Sequence, residues 1–130
     1  MKLKKNINKI FITGAAGFVG SHVAEFLYKE YPKSKFILFD KVTYAANKKY
    51  IQKLLNKNNV EFCKGDLINI KLLKKLLYKV DLAINIAAES HVDNSFGNSN
   101  TRQFRGLYIK SIWSEGHCKY FISLTISVIK

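Results

Sequence analysis

Apolar residues along this chain change period from segment to segment. Lys9 to Thr13 holds a short apolar run, Ile10-Phe11-Ile12, bounded by a glycine-containing turn. From Val19 to Tyr31, apolar Val19, Val23, Phe26, Leu27 and Tyr28 recur at helical spacing, and Pro32 stops the helix. Lys35-Phe36-Ile37-Leu38-Phe39-Asp40 predicts a second strand, Lys48 to Leu55 a short helix, and Val60 to Cys63 a third strand. Asn69 to Tyr78 alternates paired leucines with lysines, a narrow apolar stripe on a basic helix. Val80 to Ala88 is nearly continuous in Ala, Ile and Leu, as expected of a parallel strand covered on both faces. The β-α-β-α-β-α-β order predicts an α/β fold, a doubly wound parallel sheet of about four strands with helices on both sides.

The first turn, Thr13-Gly14-Ala15-Ala16-Gly17-Phe18-Val19-Gly20, sits between a strand and a helix, where spaced glycines carry a physical meaning. Gly14 can take backbone angles that side chains forbid, so the strand can turn sharply. Gly17 offers no Cβ to an approaching pyrophosphate, and Gly20 lets the helix pack close to the strand. The N–H groups opening the helix favour phosphates. Asp40 ends the second strand twenty residues after Gly20, where a carboxylate accepts bonds from ribose hydroxyls and repels a 2′-phosphate. The expectation is a Rossmann-like site that takes NAD over NADP, with Lys41 slightly softening that preference. A glycine turn without a ligand, and an acid that merely caps a strand, are the plain alternatives.

Composition narrows this further. The 130 residues suit one domain, and 48% hydrophobic content argues against disorder. No apolar run approaches the ~20 residues of a membrane helix. The lysine-rich residues 1 to 9 lack a signal-peptide core behind them. With two cysteines, Cys63 and Cys118, and no metal-ligand spacing, a cytoplasmic protein without a metal site is expected. The net charge of +13 invites a nucleic-acid reading. Lysines, however, lie on nearly every predicted polar face, and only Arg102 and Arg105 supply the planar fork of specific readers. Solvated faces without a specific nucleic-acid partner are expected.

Three segments resemble one family closely. Asp40-Lys41-Val42-Thr43-Tyr44-Ala45-Ala46-Asn47 is similar to the Asp-Lys-Leu-Thr-Tyr-Ala-Gly-Asn segment of the dTDP-glucose 4,6-dehydratases, extended short-chain dehydrogenase/reductase proteins. Ala87-Ala88-Glu89-Ser90-His91-Val92-Asp93-Asn94-Ser95 departs from the family pattern only at Asn94, and Thr13 to Gly20 matches its nucleotide turn. The resemblance spans about residues 9 to 96. It implies that Gly14, Gly17, Phe18, Val19 and Gly20 lie along the NAD diphosphate, and that Asp40, Lys41, Val42 and Thr43 surround the adenosine ribose. Asn47, in the same segment, is also assigned to the cofactor. Asp66 and Leu67 would frame the adenine; Ala87, Ala88 and Glu89 would line the nicotinamide. Ser90 would begin the part facing a sugar nucleotide of the dTDP-glucose class, and His91 would be structural.

The family oxidises its sugar at C4 with NAD, removes water across C5–C6 and returns the hydride. It uses a Tyr-x-x-x-Lys pair and a Thr-Asp-Glu segment. Here Tyr31-x-x-x-Lys35 spans Pro32, and Tyr44-x-x-x-Lys48 lies in the ribose-side segment, so neither matches in position. After Asp93 the only acid is Glu115, and no catalytic residue is assigned. Residues 97 to 130 change character, with both arginines and the only tryptophan, Trp113. Lys119 to Thr125 echoes the family's fifth strand, followed by Ile126, Ser127 and Val128 in place of Thr-Asp-Glu. The expectation is a partial NAD-binding domain over 1–98 and a divergent tail over 99–130, left by a reading frame disrupted near Ser99. A short protein whose last apolar run supplies a fifth strand is the alternative. The expected function is the NAD-binding part of a nucleotide-sugar dehydratase, inactive alone. A non-catalytic NAD-binding or partner-assisting module is the second reading and a basic nucleic-acid binder the third. The oligomeric state does not carry over.

Overall fold

The computed structural model describes residues 6–41, 48–66, 69–86 and 118–123. Strand β1 (Lys9–Thr13) leads through the glycine turn into helix α1 (Phe18–Glu30), followed by β2 (Lys35–Asp40). A 3₁₀ turn, Lys48–Ile51, runs into the short helix α2 (Gln52–Leu55), then β3 (Val60–Lys64), α3 (Ile70–Leu77), β4 (Val80–Asn85) and β5 (Cys118–Ser123). Among the described residues five strands form one sheet in the order β3-β2-β1-β4-β5, and every pairing is parallel. The fifth strand lies within 99–130 and pairs Val80 to Cys118 and Asn85 to Ser123.

Both faces of the sheet are covered, which is why the central strands read as continuous apolar runs. On one face Ile10, Ile12, Phe36, Leu38, Leu82 and Ile84 pack with Ala24 and Leu27 of α1 and with Ile51 and Leu54. On the other, Phe11, Ile37, Phe39 and Ala83 pack with Leu73 and Leu77 of α3. Alternate residues of β1 and β2 thus serve opposite faces, as the strand period requires. Phe11 and Phe39, both buried, meet with ring centroids 5.7 Å apart; full burial of each is worth about 1.5–3 kcal/mol.

Helix α1 corrects one expectation. Its buried side is Gly20, Ser21, Ala24 and Leu27, whereas Phe26 is 62% exposed. Phe26 stands two positions beyond Ala24, roughly 200° around a helix of 3.6 residues per turn. Small residues face the sheet because α1 lies close to β1, and apolar spacing alone does not reveal that proximity. The helix ends where Tyr31 N–H donates to Leu27 O at 2.8 Å, just before Pro32. Tyr31 and Lys35 therefore stand across a turn and share no helix face. Helix α3 starts at Asn69, whose side chain accepts from Leu72 N–H at 3.2 Å, a cap worth about 1 kcal/mol.

The edge of the sheet where the strands begin is fastened by side chains to backbone. Buried Asp81 accepts from Asn8 N–H at 2.7 Å and Lys9 N–H at 3.1 Å, joining the start of β4 to the approach to β1. Asn59 donates to Pro32 O at 2.8 Å and Ser34 O at 2.7 Å, and Ser34 Oγ donates to Ile7 O. Lys9 Nζ reaches Tyr78 O at 3.0 Å, and partial burial lowers its pKa, with Lys35 repelling it and Glu61 opposing the shift. Replacing Asp81 with Ala removes the carboxylate from two backbone donors. Urea denaturation of D81A is expected to give a stability about 1–3 kcal/mol below that of the parent chain. D81N, which keeps an acceptor oxygen, is expected to recover part of it.

Candidate dinucleotide site

Strand order runs β1-β2-β3 in one direction and β1-β4-β5 in the other, so it reverses between β1 and β4. Connections leaving the C-terminal ends of those two strands diverge, and ligands of open parallel sheets bind in the crevice that results. Thr13, the last residue of β1, stands in register with Asn85, the last of β4. Its hydroxyl donates to Asn85 Oδ1 at 2.5 Å and accepts from Ile86 N–H at 3.2 Å, with both side chains buried. This polar pair holds the floor of the crevice together. Sequence reasoning did not single it out, although Asn85 interrupts an apolar run and Thr13 immediately precedes the first glycine.

Above that floor the chain turns at Gly14, whose φ of 69° lies in the left-handed region. Gly17 N–H donates to Gly14 O at 3.1 Å, closing the turn, and Gly17 is the N-cap of α1 with extended backbone angles. No side chain caps this helix, and no acid stands in its first turn. Its N-terminal N–H groups and partial positive charge are therefore not answered by a carboxylate of the first turn. A Cβ on Gly20 would stand 1.9 Å from Gly14 O, so α1 reaches its position only with glycine there. Gly17 is different. A Cβ on it would meet only Gly14 O at 3.4 Å, an ordinary contact, so packing within the chain does not demand glycine at this point.

Asp40, the last residue of β2, is buried, and its Oδ2 accepts the Ala16 N–H at 2.8 Å. Ala15 N–H donates to Phe39 O at 3.3 Å, so two consecutive amides of the turn are joined to the tip of β2. Lys41 Nζ lies 3.1 Å from Asp66 Oδ2, just beyond the end of β3. Gly65 N–H donates to Asp40 O and Asn69 N–H to Asp66 O, each at 3.0 Å. Gly14, Gly17, Phe18, Val19, Gly20, Asp40, Lys41 and Asp66 are thereby gathered along one edge of the sheet. Val42, Thr43, Asn47, Leu67, Ala87, Ala88, Glu89 and Ser90 lie outside the described residues.

Phe18 is 65% exposed at the start of α1, with its ring 4.6 Å from that of His22 and 6.2 Å, edge-on, from that of Tyr50. Tyr50 had no distinguishing signal in the sequence. Cys63 on β3 is half-buried; burial raises its thiol pKa, Glu61 adds to the rise and Lys75 opposes it. It therefore lacks the electropositive setting of a reactive thiolate. Among the described residues no three side chains are grouped to hold a metal ion, and no helix is long and apolar enough to cross a membrane. The site can accept a phosphate-bearing ligand at the turn and offer a carboxylate at its side. Among the described residues it brings together no nucleophile and base.

Comparison with known proteins agrees with this geometry. A family model described as GDP-mannose 4,6 dehydratase matches residues 11–104. The dTDP-D-glucose 4,6-dehydratase of Dictyostelium discoideum is 43% identical over 95 residues, which cover 72% of this chain and 22% of that protein. The human dTDP-D-glucose 4,6-dehydratase is 35% identical over 103 residues, covering 78% of this chain and 28% of that protein. Among solved structures, Streptomyces venezuelae DesIV, a dTDP-glucose 4,6-dehydratase with NAD bound, superimposes with a TM-score of 0.74 at 28% identity. That match covers 87% of this chain and 38% of DesIV. The dTDP-glucose 4,6-dehydratase of Bacillus anthracis, in complex with NAD, gives 0.73 at 28% identity, covering 87% of this chain and 36% of that one. This chain thus spans about a fifth of the length of the Dictyostelium relative. The resemblance seen in the three sequence segments, and the Rossmann-like fold, are both borne out.

The packing of α1 against the turn gives a direct test. G20A is expected to push the helix off Gly14 and destabilise the chain by about 1–3 kcal/mol in urea denaturation. G17A, whose Cβ finds ordinary room, is expected to change stability by less than about 1 kcal/mol, since glycine is not required there by the fold.

Proposed function

The chain belongs to the GDP-mannose 4,6 dehydratase family, and we propose that it is the NAD-binding part of a nucleotide-sugar dehydratase resembling the dTDP-glucose enzymes. One observation carries the reading. The Ala16 N–H bond to Asp40 joins the phosphate-type turn to an acid at the tip of β2, at the point where strand order reverses.

The residues fit NAD. Left-handed Gly14, the uncapped N-terminus of α1 and the open face of Gly17 suit a diphosphate. On this reading Gly14, Gly17, Phe18, Val19 and Gly20 follow the diphosphate. Asp40, Lys41, Val42, Thr43 and Asn47 would surround the adenosine ribose, and Asp66 and Leu67 would frame the adenine. Ala87, Ala88 and Glu89 would line the nicotinamide, and Ser90 would begin the side facing a sugar nucleotide. Bound NAD supplies reversible hydride acceptance. The chain's own contribution is binding and orientation: Asp40 holds the turn in shape through one oxygen while its charge disfavours a 2′-phosphate.

Catalysis is a separate matter. Tyr31 and Lys35 face across a turn, and the sequence carries no Thr-Asp-Glu segment. We therefore assign residues 1–98 to cofactor binding and no residue to proton transfer. A non-catalytic module that holds NAD or assists a partner is consistent with the same geometry.

Two measurements test this. NAD at about 100 times its dissociation constant is expected to add roughly 2.7 kcal/mol of stability, seen as a rise in melting temperature. The absence of any rise in a folded sample would overturn the cofactor assignment. Incubation of the purified 130-residue chain with NAD and dTDP-glucose is expected to yield no 4-keto-6-deoxy sugar above a boiled control. Turnover by a chain verified at this length would overturn the non-catalytic assignment.

A further inference from the structure

Lys41 stands immediately beside the acid that faces the ribose, which raises the question of why its positive charge does not invite a 2′-phosphate. The geometry supplies an answer. Lys41 Nζ is 3.1 Å from Asp66 Oδ2, and the lysine side chain is 52% exposed against 27% for the aspartate. The pair bridges from the tip of β2 to the residue just past Gly65, whose N–H is itself bonded to Asp40 O. The backbone thus sets Asp66 opposite Lys41 independently of the ion pair.

We propose that Asp66 is a positioning residue for cofactor selectivity: it holds Lys41 so that the lysine's ammonium does not offset the Asp40 charge at the ribose 2′ position. The inference rests on the NAD reading and deepens it. Asp40, Lys41 and Asp66 lie in this corner, with Lys64 on the neighbouring strand in register with Asp40. With Lys41 held by Asp66, its ammonium offsets less of the repulsion between the Asp40 carboxylate and a 2′-phosphate. With Lys41 released, an ammonium next to Asp40 offsets that repulsion, and NADP gains on NAD. Because the lysine side chain is half exposed, the effect has surface size and is screened by salt.

The test is the ratio of NAD to NADP dissociation constants, measured by titration calorimetry on the whole chain. Both dinucleotides carry the same adenine, so whatever Asp66 does for the base cancels in the ratio. Lys64, the register partner of Asp40, is unchanged in every variant, so whatever it adds to the ratio is common to all of them. The parent chain is expected to prefer NAD, and D66N to narrow that preference about fivefold at low salt, the upper range for a surface ion pair. In the double variant K41M/D66N the narrowing is expected to vanish, and in 0.5 M salt D66N and the parent are expected to converge. D66S provides the same comparison should D66N fold poorly. NAD binding with an unchanged ratio in D66N and D66S overturns this inference alone. A folded parent chain that binds neither dinucleotide overturns the NAD reading and this inference with it.

Discussion

A buried hydrogen bond from Ala16 N–H to the carboxylate of Asp40, beside the Ala15 N–H bond to Phe39 O, ties the glycine turn to the tip of β2. Bonds to an ionised acceptor are worth about 1.5–3 kcal/mol, and this one links residues 24 positions apart. It depends on the left-handed Gly14, which swings the turn toward β2, and on Gly20, which lets α1 follow at close range. On the proposed reading Asp40 would serve twice, because the carboxylate that shapes the turn would also carry negative charge at the ribose side.

The two ends of the parallel sheet are built differently. Where the strands begin, Asp81, Asn59 and Ser34 bond directly to backbone groups and close the structure. Where they end, the described residues make direct bonds at the floor, in Thr13 and Asn85, and at the Asp40 and Lys41 corner. Above them the helix N-terminus has no side-chain cap. Parallel strands place all their C-terminal ends on one side, so the glycine turn, Asp40 and the Thr13–Asn85 pair share that edge.

Much of this was legible in the sequence, for identifiable reasons. The runs 9–13, 35–40 and 80–85 are buried on both faces, so hydrophobic continuity alone revealed them as strands. The Gly14, Gly17 and Gly20 spacing located the turn, and Asp40 fell at the strand tip where spacing put it. Less legible were features that depend on proximity. The outward Phe26 could not be told from a core residue, because the sheet-facing side of α1 is made of small residues whose burial leaves no hydrophobic mark. Nor did the sequence reveal that Asp66 would meet Lys41, since that pairing follows from β3 lying beside β2. The fifth strand was visible only as an apolar run, with its partner β4 fixed by the sheet order.

The central place of β1 also has a consequence in time. Thr13 and its partner Asn85 are 72 residues apart in sequence. At ordinary rates of synthesis the interval between them lasts roughly 4–14 s. During translation β1 and β2 can pair early, while the flank of β1 destined for β4 waits for a strand not yet made. Loop closure over such a span is slow, and an unpaired inner strand is the surface most open to wrong partners. The nascent chain therefore meets its greatest exposure at the strand that later becomes the most enclosed.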